Sequence, residues 1–225
     1  MKYTVWMITV VLGCHSKPTS AQVLKAIEHG DDAELEGLLD RGADPNAVGE
    51  ITMPGQGTFG QTALGAAITL RHDHAVELLL AHHAHANQRG PGLMGSPGKL
   101  PLEIAAMSND VAAIRALLAA GASPDGDSAG NESPAALAAN FGQLDALDAL
   151  LVAGAKIDGT GADGTGYPPL ALATEHLCVP CVKRLLAAGA QVDRRDVLGM
   201  TALNHAVAKE HIEHVDILLA AKADR

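Results

Sequence analysis

Paired leucines set the rhythm of this chain. Leu38-Leu39, Leu79-Leu80, Leu117-Leu118, Leu150-Leu151, Leu185-Leu186 and Leu218-Leu219 follow one another at steps of 41, 38, 33, 35 and 33 residues. After two intervening residues, four of the pairs lead to Gly42-Ala43, Gly121-Ala122, Gly154-Ala155 and Gly189-Ala190; the other two lead to His83-Ala84 and Lys222-Ala223. Within one unit, Leu102, Ile104, Ala105, Ile114, Leu117 and Leu118 fall at helical spacing and predict two short antiparallel helices. Pro101, Pro134 and Pro169 suit a first helical turn, where the missing N–H has no intrahelical partner. The glycines after the leucine pairs suit the left-handed residue that ends a helix. A unit this small cannot bury its apolar face alone, so the period predicts a stacked solenoid.

A second motif keeps step with the first. Thr62-Ala63-Leu64 with Ala67, Pro101-Leu102 with Ala105, Ser133-Pro134-Ala135 with Ala138, Pro168-Pro169-Leu170 with Ala173, and Thr201-Ala202-Leu203 with Ala206 each precede a leucine pair. These resemble the Thr-Pro-Leu-His-x-Ala helix start of ankyrin repeats, with the histidine replaced in all five. Val23 to Asn46 lacks that start and resembles an N-terminal capping repeat. The resemblance implies an all-α ankyrin-repeat solenoid of six helix-turn-helix units with hairpin fingers, covering 21–225. The repeats fall near 21–50, 60–90, 99–130, 131–165, 166–198 and 199–225.

Residues 1–13 have a different pattern, with one charge at Lys2 followed by the apolar run Tyr3 to Leu12. That run is too short to span a bilayer and fits an export signal. Val11-Leu12-Gly13-Cys14 resembles the bacterial lipobox, which implies lipidation at Cys14 and a tether over 14–20. With His15 rather than aspartate after the cysteine, the resemblance implies anchoring on the periplasmic leaflet of the outer membrane. A cleaved, unanchored periplasmic protein is one alternative, and an uncleaved anchor or a misassigned start the other.

Charge narrows the partners. The formal net charge is −10, which argues against nucleic acid, since such binding relies on basic patches that neutralise phosphate. If Cys14 carries lipid, Cys178 and Cys181 remain as an even pair, and an oxidising compartment favours a local disulfide between them. Free thiols, a redox centre and a metal site drawing on His176, Cys178 and Cys181 are the competing readings. His72, His74, His82, His83 and His85 crowd the second repeat, and His205, His211 and His214 the last. No carboxylate or cysteine pattern completes a metal site around either set, so structural or solvated roles are expected. The Gly-rich stretch 159–166 lacks the strand and lysine of a phosphate loop and reads as a hairpin tip. No nucleophile or acid–base pair stands out. The chain is expected to be a non-enzyme without cofactor, monomeric on its own.

Insertions point to the working side. The steps longer than 33 residues place their extra length between a Gly-Ala end and the next helix start, the interval that forms the finger in ankyrin repeats. Ile51, Met53, Phe59, Leu93 and Met94 lie there among Gly and Pro, with Tyr167 and the Arg194-Arg195 pair in later fingers. Aromatics, Met and Arg are enriched at interface centres, so these eight residues, with the concave helix face that the ankyrin resemblance implies, are the expected contacts for a partner protein. The resemblance suggests either an immunity or inhibitor protein against a secreted toxin or periplasmic enzyme, or an envelope scaffold or stress-associated accessory factor.

Overall fold

The computed structural model describes residues 17–53, 57–92, 98–127, 132–159 and 166–224. The signal segment, Cys14, Leu93, Met94 and residues 160–165 lie outside the described residues.

The leucine rhythm becomes pairs of short helices: α1 (Ser20–His29) with α2 (Asp32–Asp40), α3 (Ala63–Thr69) with α4 (Asp73–Ala81), and α5 (Pro101–Met107) with α6 (Val111–Ala119). Next come α7 (Pro134–Asn140) with α8 (Leu144–Val152), α9 (Pro169–Glu175) with α10 (Val179–Ala187), and α11 (Ala202–Ala208) with α12 (Ile212–Ala220). The first helix of each pair packs on the first helix of the next, and the second on the second, giving two parallel layers. Pro101, Pro134 and Pro169 begin their helices as the sequence predicts. The hydroxyls of Thr62, Ser133 and Thr201 cap α3, α7 and α11 by accepting N–H bonds from Gly65, Ala136 and Asn204.

The core is aliphatic and small. Leu35, Leu79, Leu117, Leu147, Leu150 and Leu185 are fully buried, and alanines fill the first helices. Ile68, Ala106, Ala139 and Thr174 occupy one stacking position in successive repeats and are all 0% exposed. Each buried leucine contributes about 1.5–3 kcal/mol relative to exposure, so the interfaces between repeats hold the array together.

Two backbone devices recur at the same steps as the leucines. The turn between paired helices passes through a left-handed residue at Gly30, Arg71, Asn109, Gly142, Leu177 and Glu210. A second left-handed residue follows the second helix of each pair, at Gly42, His83, Gly121, Gly154, Gly189 and Lys222. In each case the amide of the residue after it reaches back into the last turn, as Ala43 N–H does to the Leu38 carbonyl at 3.0 Å. A side chain in this conformation costs about 1–2 kcal/mol. His83→Gly, which installs the residue that four of the other five copies use, is expected to raise stability by about 1 kcal/mol after the entropy of glycine is subtracted. An unchanged or lower urea midpoint would refute it.

Among the described residues, regular β-structure is confined to the first finger, where β1 (Val48–Met53) pairs antiparallel with β2 (Gly57–Thr62). The hairpin leans on α1: a Cβ at Gly49 would lie 2.5 Å from Leu24 Cδ1, and the Thr52 amide donates to the Glu28 carboxylate at 2.6 Å. This contact corrects one expectation. Ile51 is 0% exposed, because the strand lays it over the first repeat instead of leaving it on a projecting tip.

Candidate functional site

The fingers are built on a polar ladder. Four residues past each left-handed helix end stands Asn46, Asn87, Asp125, Asp158 or Asp193. Each accepts a hydrogen bond from a backbone amide of the following repeat: His85 at 2.7 Å, Ser123 at 3.1 Å, Lys156 at 2.7 Å, Gln191 at 2.9 Å and Asp224 at 2.8 Å. The ladder fixes finger bases to one another and leaves the tips to vary.

Two ionic clusters add to it. Arg89, in the second finger, forks onto Glu103 of α5 at 3.0 and 3.2 Å and onto Asp127 of the third finger, with Nε at 2.8 Å. Glu103 is 2% exposed and also accepts the Leu100 amide at 2.9 Å. The Asp127 bond, opposed by burial and aided by Glu103, holds the Arg89 guanidinium above its ordinary range, so it stays charged. In the fifth finger the fully buried Asp196 carboxylate meets His205 Nε2 at 2.7 Å and accepts the amides of Leu198 and Met200 at 2.8 and 2.9 Å. Burial raises the Asp196 carboxyl, but the His205 bond and the two amides outweigh it and hold it below the usual carboxylate range.

The other expected contact residues divide. Arg195 is exposed and donates to the Gly199 carbonyl at 2.8 Å, while Arg194 and Tyr167 are half-buried. Phe59 stands opposite Ile51 in the hairpin register, and Met53 opposite Gly57. The sequence reading missed the apolar pair at the fifth tip, Val197 at 41% and Leu198 at 69% exposed. Its signal was there: two aliphatics between Asp196 and Gly199 with no helical period to bury them.

Cys178 and Cys181 form a disulfide, S–S 2.01 Å, across the first turn of α10, with Cys181 completely buried. Cys178 is also the N-cap, its sulfur accepting the Cys181 amide at 3.2 Å. Among the described residues, no group of three or more His, Cys, Asp or Glu could hold a metal ion.

The terminal histidines are less solvated than repeat helices generally suggest. His205 is 6% and His214 2% exposed, and His214 Nε2 has no hydrogen-bond partner. Burial, with the neighbouring His211 and against Glu213, pushes the His214 imidazole below its ordinary value of 6.5. The unfolded chain therefore takes up this proton more readily than the folded one. The stability that neutral His214 provides is complete above 6.5 and lost as pH falls below it, with a slope of at most about 1.4 kcal/mol per pH unit for one proton. His214→Leu should flatten this part of the profile; a denaturation series from pH 8 to 5 identical in both proteins would refute the assignment.

The family model for ankyrin repeats (3 copies) matches residues 23–127 and 135–225. The chain belongs to the ankyrin repeat family. The ankyrin repeat domain of human ASB11 is similar in structure, with TM-score 0.71 and 28% identity over 90% of this chain and 84% of that one. The ankyrin repeat domain of Bcl-3, a member of the IkappaB protein family, shares the fold with TM-score 0.73 and 22% identity over 90% of this chain and 86% of that one. No curated protein sequence matches the chain. Ankyrin repeats are protein–protein interaction modules and generally not enzymes, so a protein partner is the expected ligand. Among the described residues no helix is long and apolar enough to cross a membrane.

Proposed function

We propose that this ankyrin repeat protein is exported, lipid-anchored through Cys14, and binds a partner protein through its fingers and the adjoining face of the short helices. Its role in this reading is that of an immunity or inhibitor protein held where a secreted effector arrives. The observation that carries the binding surface is the fifth finger. Leu198 and Val197 stand in solvent there although Asp196, beside them, is buried and pinned by three hydrogen bonds. A rigid base under exposed aliphatic and Arg side chains is how interface anchors are pre-organised. The acidic balance of −10 suits a partner with a basic face.

Two experiments test the two halves. Radiolabelled palmitate should enter the wild-type chain and not Cys14→Ala; equal labelling, or none in either, removes the anchor. Cross-linking in the envelope should yield a protein adduct that Leu198→Ser with Arg195→Glu weakens at unchanged thermal stability. Equal adduct yield in the variant would move the interface off this finger.

A further inference from the structure

Stacking leaves the two ends of the array unlike. Three residues before the left-handed turn of each helix pair stand Ile27, Ile68, Ala106, Ala139, Thr174 and Val207. In the first five repeats the next helix pair packs on this helix, and the residue is at most 1% exposed; Val207 is 59% exposed. The second helices repeat the contrast. Leu35, Val76, Ile114, Leu147 and Val182 are buried, while Val215, their counterpart in α12, is only half-buried. Among the described residues no helix pair follows α12. Leu203, Asn204, Val207 and Ala208 of α11, with Val215 and Leu219 of α12, line an open groove of about 420 Å³ on this end. None of the six is charged, and Asn204 is the one polar side chain among them.

The first repeat is finished differently. Eight residues before the turn, Ala63, Pro101, Pro134, Pro169 and Ala202 are buried in the later repeats, and α1 has exposed Gln22 there, with exposed Lys25 one turn on. A polar outer face of this kind is what keeps the end of a repeat array soluble. The α11–α12 end keeps the apolar residues that the rest of the array uses for stacking.

We propose that two copies of this chain join end to end through the α11–α12 face, about a two-fold axis, in place of the monomer expected from the sequence. Everywhere else in the molecule these positions are covered by another helix pair of the same kind, so a second copy continues an interface the chain already makes. The spacing makes the face its own complement. Leu203 and Val207 stand four residues apart on α11, and Val215 and Leu219 four apart on α12, so each pair shares one side of its helix. A two-fold axis between them sets the facing helices antiparallel. It brings Leu203 against the other copy's Val207, and Val215 against its Leu219. Head-to-tail stacking would instead bury the Lys25 ammonium on an apolar face, a charge without a partner. The assembly therefore closes at two.

Sedimentation velocity of the full chain over a micromolar-to-millimolar concentration series tests the pairing. The wild type should pass from monomer to dimer and no further. Val207→Glu should weaken the dimer about ten-fold or more, since a two-fold interface feels each substitution twice. Val207→Leu, which keeps the face apolar, should retain it. Val152→Glu, the same change at the 84%-exposed valine of α8, should leave the dimer intact, as should Leu198→Ser in the fifth finger. Val207 is exposed in the single chain, so Val207→Glu should melt with the dilute wild type, and only the wild-type melting temperature should climb with concentration. Three results would overturn the proposal: a wild type monomeric at the highest concentration, species larger than a dimer, or association that Val207→Glu leaves unchanged.

Discussion

Arg89→Met will destabilise the array by about 3–5 kcal/mol, the cost of leaving a buried charge without its partner. Glu103 is 2% exposed, and Arg89 supplies both of its side-chain ion-pair bonds, leaving only the Leu100 amide when the guanidinium is removed. The position itself does not need a carboxylate. Gly65, Ala136 and Ala171 occupy it in neighbouring repeats, all buried. Adding Glu103→Ala to Arg89→Met should therefore restore most of the loss, since an ion pair exchanged for packed apolar groups is often neutral or better. A double-mutant cycle by guanidinium denaturation gives the coupling. Additive losses would show that Arg89 acts mainly through Asp127 and the Gly98 carbonyl, its other partners.

Leu150→Ala comes next, at about 2–5 kcal/mol. Leu150 is 0% exposed in α8, whose helix packs between α6 and α10. Truncation there removes contacts from an interior already built of alanine, which has little side chain to move into the space. Val152→Ala, two residues on and 84% exposed, should stay within about 0.5 kcal/mol. Because each repeat touches only its neighbours, damage in the fourth repeat should also divide the melting curve, with the two ends unfolding separately. A single sharp transition shifted by less than the Val152→Ala variant would refute the stacking account.

How much of this was legible beforehand depended on what kind of period a residue kept. The leucine pairs and the glycines after them announce helices and their ends, because both obey the geometry of one repeat. The Asn46, Asn87, Asp125, Asp158 and Asp193 ladder keeps the same period, yet its meaning lies in an amide one repeat away, which a search for apolar spacing passes over. Glu103 looked like an ordinary polar position on a helix, since its burial comes from Arg89 fourteen residues earlier and from the next finger. Ile51 was misplaced for a similar reason. A hairpin's tilt over α1 is set by contacts such as Glu28 to Thr52, and local composition carries no trace of it. The disulfide, by contrast, was readable from cysteine number, because setting Cys14 aside leaves Cys178 and Cys181 as an even pair three residues apart.

The amide-to-carboxylate rungs have a consequence for how such a chain can change. They tie every finger at its root, so the register of the repeats does not depend on how many residues separate one root from the next helix. The spans of 41, 38, 33, 35 and 33 residues between leucine pairs are what that freedom leaves behind. Residues could thus be inserted or exchanged beyond the packed positions such as Ile51, Arg89 and Asp196, and the chassis would assemble in the same register to display a new specificity.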